Sequence, residues 1–259
     1  MFIDSHAHLT FGDDIAQIHE IIKRARDAQV DHIINICTDE PTLQRGLQLS
    51  RQYPWIFNTG ATTPHDVKEE GEKNFPLFEK AAKEGRLVAV GETGLDYYYE
   101  HSDRELQKYF LKQYLQLAVS CNLPVIFHCR EAFADLFSVC DSHYAKEGKA
   151  ILHCFTGTLE EAQEVLKRGW YLSFSGIVTF KKSQALREVV RQVPLEQMLI
   201  ETDSPYLAPQ SKRGKPNEPG YISETAEMIA KIKQKDLQEV AAITSENAKN
   251  VFMLPKNSG

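Results

Sequence analysis

The sequence predicts a single (β/α)8 TIM barrel. Three observations carry that expectation. Eight short runs rich in β-branched and aromatic residues recur along the 259 residues. Amphipathic segments of helical period separate them, the order that parallel strands joined by crossover helices require. A barrel of this class needs about 250 residues, which leaves no chain over for a second domain. We therefore expect one domain over residues 1–254 and a frayed tail over 255–259. An open doubly wound sheet is the alternative. No Gly-x-Gly-x-x-Gly follows the first run, so its dinucleotide-binding form lacks a phosphate loop.

Residues 2–4 are the first expected strand. Ile15, Ile18, Ile21, Ile22 and Ala25 then place apolar side chains on one helical face. Residues 32–37, 56–61 and 87–91 are the second, third and fourth strands. Leu106, Phe110, Leu111, Tyr114, Leu115, Leu117 and Ala118 form the stripe of a long helix before the fifth strand at 124–127. Residues 150–153 are the sixth. A helix then begins at Thr158, with Glu160 and Glu161 in its first turn, where acidic groups suit the helix dipole. Residues 170–174 and 198–201 complete the eight. The segment QSKRGKPNEPG at 210–220 is polar, basic and rich in Pro and Gly, and reads as a substrate-binding loop.

Apolar residues make up 42% and charged residues 25%, a balance that excludes intrinsic disorder. No apolar run approaches the roughly 18 residues of a membrane span, and MFIDSH at the start has neither the basic nor the apolar region of a signal peptide. The five cysteines are odd in number and scattered, which speaks against a disulfide framework. We expect a cytoplasmic protein without membrane association or a stable protein partner. The net charge of −6 excludes a protein that coats duplex DNA through a broad basic surface. A nucleic-acid substrate then requires local positive charge or bound metal ions.

His6 and His8 lie two apart, so on a strand both imidazoles share one face while Ala7 points to the helices. Further ligand types end other apolar runs: Glu92, His128, His153 and Asp203. In a barrel these ends converge on the face that carries active sites. Four imidazoles and two carboxylates in one place need counter-charge, which divalent cations supply. Six ligands exceed one tetrahedral site with an open position. They suit two ions with Glu92 bridging and a water between them. The mixture is compatible with Zn²⁺, Mn²⁺ or Mg²⁺.

Several segments together resemble the TatD family of metal-dependent deoxyribonucleases, within the amidohydrolase-like barrel superfamily. They are DSHAHL at 4–9, GETGLDYYY at 91–99, PVIFHCRE at 124–131, ILHCFTG at 151–157, ETDSPYLAP at 201–209, RGKPNEP at 213–219 and TSENAKNVF at 244–252. The resemblance covers the chain from end to end. It implies a (β/α)8 fold, a divalent metal site and hydrolysis of phosphodiester bonds in DNA, often as a 3′→5′ exonuclease on single-stranded or frayed ends. It carries the metal ligands onto His6, His8, Glu92, His128, His153 and Asp203, and makes Asp203 the acceptor of a proton from the attacking water, with Glu92 the second catalytic carboxylate. Related amidohydrolases often bridge their metals with a modified lysine; Glu92 is the TatD-like variant. One departure stands out. The family pattern His-Pro-His reads Thr63-Pro64-His65 here, and in relatives these residues lie near the substrate phosphate.

Arg130 follows His128 at i+2 and either pairs with a substrate phosphate or with Glu131 or Asp96; the barrel mouth favours phosphate. With His65, Lys212 and Arg213 it makes up the candidate substrate-binding set, although a basic run such as 212–215 is equally a solvated loop. Tyr97, Tyr98 and Tyr99 could stack on a base, and for at least two of them packing under the loop is an equal alternative. Asn217 and Glu218 are expected to fix the shape of the last loop. Cys129 and Cys154 are expected to turn away from the ligands into the helix layer. His19, His32, His101 and His143 lack ligand context. A metal-dependent hydrolase of a carbon centre, a cyclic amide or a mischarged aminoacyl-tRNA ester, is the alternative function. Glu92, Arg130 and the basic segment favour phosphate.

Overall fold

Eight parallel strands pair in sequence order: β1 (Phe2–Ala7), β2 (Val30–Cys37), β3 (Ile56–Gly60), β4 (Ala89–Asp96), β5 (Val125–Arg130), β6 (Ala150–Leu152), β7 (Tyr171–Phe174) and β8 (Met198–Ile200). They form a (β/α)8 barrel, as the apolar runs predict. The computed structural model describes residues 1–144 and 148–255, so all but the first residue of the expected frayed tail lies outside the described residues. Nine helices are described: α1 (Ile15–Asp27), α2 (Glu40–Gln52), α3 (Val67–Lys83), α4 (Arg104–Cys121), α5 (Phe133–His143), α6 (Leu159–Lys167), α7 (Gln184–Gln192), α8 (Ile222–Lys233) and α9 (Leu237–Val251). Helix α6 starts where its sequence signals placed it. Thr158 and Glu161 form a reciprocal capping box that satisfies two otherwise orphaned amides. Among the described residues no helix is long and apolar enough to cross a membrane.

Alternation along the strands builds two cores. Ile3, Ile34, Ile36, Ala89, Ile126, Ile151 and Leu199 point inward and meet Ala248, Val251 and Phe252 from the C-terminal end of α9. That plug fills the barrel beneath the strand ends. The opposite strand faces, among them Val30, Ile33, Val90, Val125 and Phe127, pack against helix residues such as Ile22, Phe78, Phe110 and Tyr114. Each fully buried branched or aromatic side chain contributes about 1.5–3 kcal/mol.

Two strands run further than their apolar residues suggest. β1 continues to Ala7 rather than stopping at position 4, and β4 spans Ala89–Asp96 rather than 87–91. Both contain register shifts, between Asp4 and Ala7 and between Val90 and Thr93. The shifts reverse which face each residue shows. Ile3 is in the inner core and Ala7 in the outer one, although strict alternation would put both on one face. In β4 the outward residue Val90 is followed, after the shift, by Glu92 and Asp96 on the inner face and Leu95 on the outer. Glycine makes this possible: at Gly91 (φ +147°) a Cβ would sit 2.6 Å from the Ile126 carbonyl oxygen, and at Gly94 (φ +147°) it would overlap the His128 carbonyl.

The barrel closes between β1 and the chain that follows β8. Asp203 N–H donates to the His6 carbonyl (2.9 Å) and His8 N–H to the Ser204 carbonyl (2.7 Å). Asp4 is fully buried and accepts from Thr202 N–H (2.9 Å) and Thr202 Oγ1 (2.5 Å). Burial pushes its carboxyl up to about 7 even though the Thr202 bonds pull the other way.

Candidate metal centre

The seam just described fixes His6, His8 and Asp203 relative to one another. Their inward atoms converge. His6 Nε2 and His8 Nε2 are 3.2 Å apart, and Asp203 Oδ1 lies 3.7 and 3.4 Å from them. The second constellation comes from β4, β5 and the residue that follows β6. Glu92 Oε1 is 2.9 Å from His128 Nδ1 and 2.8 Å from His153 Nε2. The other oxygen of the same carboxylate, Oε2, lies 3.4 Å from His6 Nε2 and 3.7 Å from His8 Nε2. Glu92 thus stands between two clusters, each with three or more candidate ligand atoms within 4.8 Å of one another. Burial alone would raise the Glu92 carboxyl, but His153, His128 and His6 around it hold it well below its ordinary value. His153 moves the other way: burial opposes its charge, and Glu92 and Glu201 on either side raise it well above the usual imidazole range. Four buried or half-buried imidazoles aimed at shared carboxylate oxygens fit one or more divalent cations chemically, since imidazole and carboxylate suit Zn²⁺ and Mn²⁺.

Two carboxylates sit behind the imidazoles. Asp96 Oδ2 is 2.8 Å from His128 Nε2 and 3.5 Å from His65 Nε2, while its Oδ1 accepts from the amides of Tyr98 (3.0 Å) and Tyr99 (2.8 Å). Burial raises the Asp96 carboxyl, but His128 and the Tyr99 amide outweigh it and bring it down to about 2. Glu201 is 0% exposed, with an oxygen 3.5 Å from His153 Nδ1. Orienting carboxylates of this kind fix which ring nitrogen carries the proton. The sequence reading missed both roles. A signal was there: Asp96 lies four residues beyond Glu92 and Glu201 two before Asp203, spacings that keep one strand face.

A cavity of about 680 Å³ opens above these groups. Thr63, His65, Arg130, Phe11, Tyr99 and Tyr206 form its walls, with His8, Glu92, His128, His153 and Asp203 at the base. Arg130 makes neither of the ion pairs considered for it. Its guanidinium stacks 3.9 Å over the Tyr98 ring and 4.8 Å from that of Tyr99. Thr63 donates to Asp66 Oδ2 (2.7 Å). Lys212 and Arg213 stay outside the cavity wall, over the rings of Tyr221 and Phe180. Asn217 donates to the carbonyls of Thr202 and Tyr206 (2.8 Å each) and Glu218 pairs with Arg24, so both shape the loop as expected.

The tyrosines divide, and the expectation for Cys154 needs correction. Only Tyr97 packs under its loop, donating to Asp135 (2.7 Å); Tyr98 and Tyr99 remain half-exposed because Arg130 holds their rings at the mouth. Cys129 packs against the helix-layer core, but Cys154 does not. The chain leaves β6 at Leu152 and takes a left-handed turn at Cys154 (φ +45°), so alternation lapses and the thiol lies in the cavity wall 3.3 Å from Ser175 Oγ. His101 belongs to none of the ligand clusters; it stacks on Tyr99 (ring centres 5.5 Å apart) and meets His65 edge-on.

A (β/α)8 barrel with imidazoles and shared carboxylates gathered at its C-terminal strand ends defines a metal-dependent hydrolase by architecture and donor set. Comparison with known proteins makes the class specific. The family model described as TatD related DNase matches residues 3–253, and the chain belongs to the TatD family of metal-dependent hydrolases. It is 37% identical to YabD of Bacillus subtilis, described as an uncharacterized metal-dependent hydrolase, over 98% of this chain and all of that protein. It is 35% identical to the 3'-5' ssDNA/RNA exonuclease TatD of Erwinia tasmaniensis, over 91% of this chain and 93% of that one. The crystal structure of the TatD homologue YjjV from Escherichia coli superposes with a TM-score of 0.92 at 26% identity, covering 98% of both chains.

Proposed function

We propose that this chain hydrolyses phosphodiester bonds in single-stranded or frayed DNA, releasing nucleotides from the 3′ end, with two divalent cations at the base of the cavity. The observation that carries the reading is the split of the Glu92 carboxylate, one oxygen toward His128 and His153 and the other toward His6 and His8. His6, His8 and Asp203 would hold one ion, His128 and His153 the other, and Glu92 both. Bound there, divalent cations acidify water and neutralise the charge of a phosphodiester.

The remaining roles belong to the protein. Asp203 accepts the proton of the attacking water, a task for which a carboxylate at the base of the cavity is placed. Asp96 orients His128, and Glu201 orients His153. His65 and Arg130 donate to the non-bridging phosphate oxygens from the cavity wall, Arg130 through two parallel N–H groups. Lys212 and Arg213 lie beyond the wall and meet the strand outside it. The relatives named as single-strand exonucleases support the substrate class. The five free cysteines favour a reducing, cytoplasmic setting. The unbroken sheet supports one domain over 1–254.

Digestion of end-labelled single- and double-stranded DNA with Mg²⁺, Mn²⁺ and Zn²⁺ in parallel tests the proposal. Metal-dependent shortening from the 3′ end, faster on single strands, is expected. Inertness toward both substrates with all three metals, while a cyclic amide is hydrolysed, would refute it.

A further inference from the structure

Outside the cavity, the loops that follow β7 and β8 are joined into one surface. Gln210 N–H donates to Thr179 Oγ1 (2.8 Å), and Lys181 N–H donates to Gln210 Oε1 (3.2 Å). The Arg213 guanidinium lies 4.4 Å from the centre of the Phe180 ring. Arg187 braces the first loop from behind through the carbonyls of Val178 (3.1 Å) and Phe180 (2.8 Å). Segments 176–185 and 204–217 together contain five cationic residues and no carboxylate, in a chain whose net charge is −6. Lys181, Lys182, Arg213 and Lys215 are exposed. Among the described residues, the cations of this half of the chain that form ion pairs are Lys167, Arg168, Arg191, Lys235 and Lys249 instead.

Glu224 of α8 meets the second loop, accepting from Ser211 Oγ, yet among the described residues none of the five cations forms an ion pair; like charges so gathered repel one another and attract an extended anion. The same two loops reach the cavity: Ile177 and Leu207 line it. In the cavity wall with them stand Phe11 (59% exposed) and Tyr206 (46% exposed), with ring centres 5.9 Å apart. Tyr206 also meets the His8 ring at 5.9 Å. An exposed phenylalanine beside a candidate metal ligand is poorly explained by packing.

We infer that these loops form a track for a single nucleic-acid strand. The reacting end enters the cavity, the neighbouring base lies against Phe11 and Tyr206, and the following phosphates run over Lys181, Lys182, Arg213 and Lys215. The inference rests on the nucleic-acid reading proposed above and adds the determinant of polymer over small diester. Aromatic faces accept any base and cations accept any phosphate, so the track confers length preference without sequence preference. A base stacked inside a duplex has no free face for Phe11, so the track also favours single strands.

The test compares wild type with Lys181→Ser/Lys182→Ser/Lys215→Ser, both loaded with Mn²⁺. Anisotropy of a fluorescein-labelled phosphorothioate dodecamer of thymidylate reads affinity between about 50 and 200 mM salt. The variant should bind about tenfold more weakly at low salt. Its log–log salt slope should be shallower by about 2, because each phosphate contact on a single strand contributes about 0.7. Phe11→Ser should lower affinity with the slope unchanged. In the triple variant, hydrolysis of bis-p-nitrophenyl phosphate, which reaches only the cavity, should stay within about twofold in kcat/KM. Unchanged affinity and slope in the triple variant, with cleavage of the unmodified dodecamer by wild type, would overturn the track alone. Wild type that hydrolyses the small diester yet neither binds nor cleaves the dodecamer would overturn the nucleic-acid reading and the track with it.

Discussion

Glu201→Gln should weaken metal binding far more than it weakens the metal-free chain. Glu201 is fully buried, and neither of its oxygens has a hydrogen-bond partner; the same holds for Nδ1 of His6 and of His153. These three residues form one cluster, with an oxygen of Glu201 3.5 Å from His153 Nδ1. A carboxylate this deep is tolerable only with an N–H facing it, and the imidazoles that share its cluster are those of His6 and His153. With both protons on Nδ1, the Nε2 lone pairs of His6 and His153 turn toward Asp203 and Glu92, where a cation would bind. One carboxylate therefore sets the tautomer of one ligand in each constellation. Glutamine keeps one acceptor oxygen and replaces the other with an NH2 that cannot accept from an imidazole N–H, and it carries no charge. Loss of an outer-shell carboxylate lowers metal affinity about 10–100-fold, or about 1.4–2.7 kcal/mol. By linkage the stabilisation conferred by saturating metal falls by the same amount, which is about 3–10 °C of Tm at about 2–4 °C per kcal/mol. Calorimetric metal titration gives the affinity, and thermal scans with and without metal separate the two effects. Unchanged affinity in the variant would refute the reasoning. So would an equal drop in Tm with and without metal, which would make Glu201 a residue of the fold alone.

Glu92→Gln keeps the shape but removes the charge shared by both clusters; activity should fall by two orders of magnitude or more, about 2.7 kcal/mol of barrier, with circular dichroism unchanged. Near-normal turnover with unchanged metal stoichiometry would contradict that assignment. Thr63→His should raise kcat/KM on a generic phosphodiester about tenfold, since it adds a positioned acid to the cavity wall beside His65; metal content should not change, and a drop in rate would mean that the wall is shaped for another substrate. Burial pushes the Cys140 thiol up to about 12 and Cys37 higher still. At pH 8 the folded protein should therefore leave both unreacted with a thiol reagent while Cys121, partly exposed at the end of α4, is modified; mass mapping of the labelled peptides checks the order.

The barrel was legible because its strands are buried on both faces, so each reads as a short continuous apolar run. Legibility ended where a strand turns polar. β1 and β4 extend into DSHA and ETGLD, residues that face ligands rather than lipid-like core, and an apolar count stops short of them. Their facing was not legible either. Counting by twos from Val90, an outer-core residue, sends Glu92 into the helices; only the shift between Val90 and Thr93 brings it inside. A bulge leaves no composition signal beyond glycine, and Gly91 and Gly94 read as ordinary loop punctuation until the approach of β5 shows why a side chain has no room there. His128 and Arg130 needed no such device, since β5 keeps its alternation from Val125 to the end, and there the count by twos is right. The orienting carboxylates were hidden for a different reason. Asp96 and Glu201 are defined by the imidazole nitrogen behind the one that faces the cavity, a relation between strands: Glu201 follows β8 and meets His6 on β1 only across the closed seam, and it meets His153 from two strands away. Sequence places each residue on its own strand end; only closure of β1 against the chain after β8 makes one carboxylate answer to two rings.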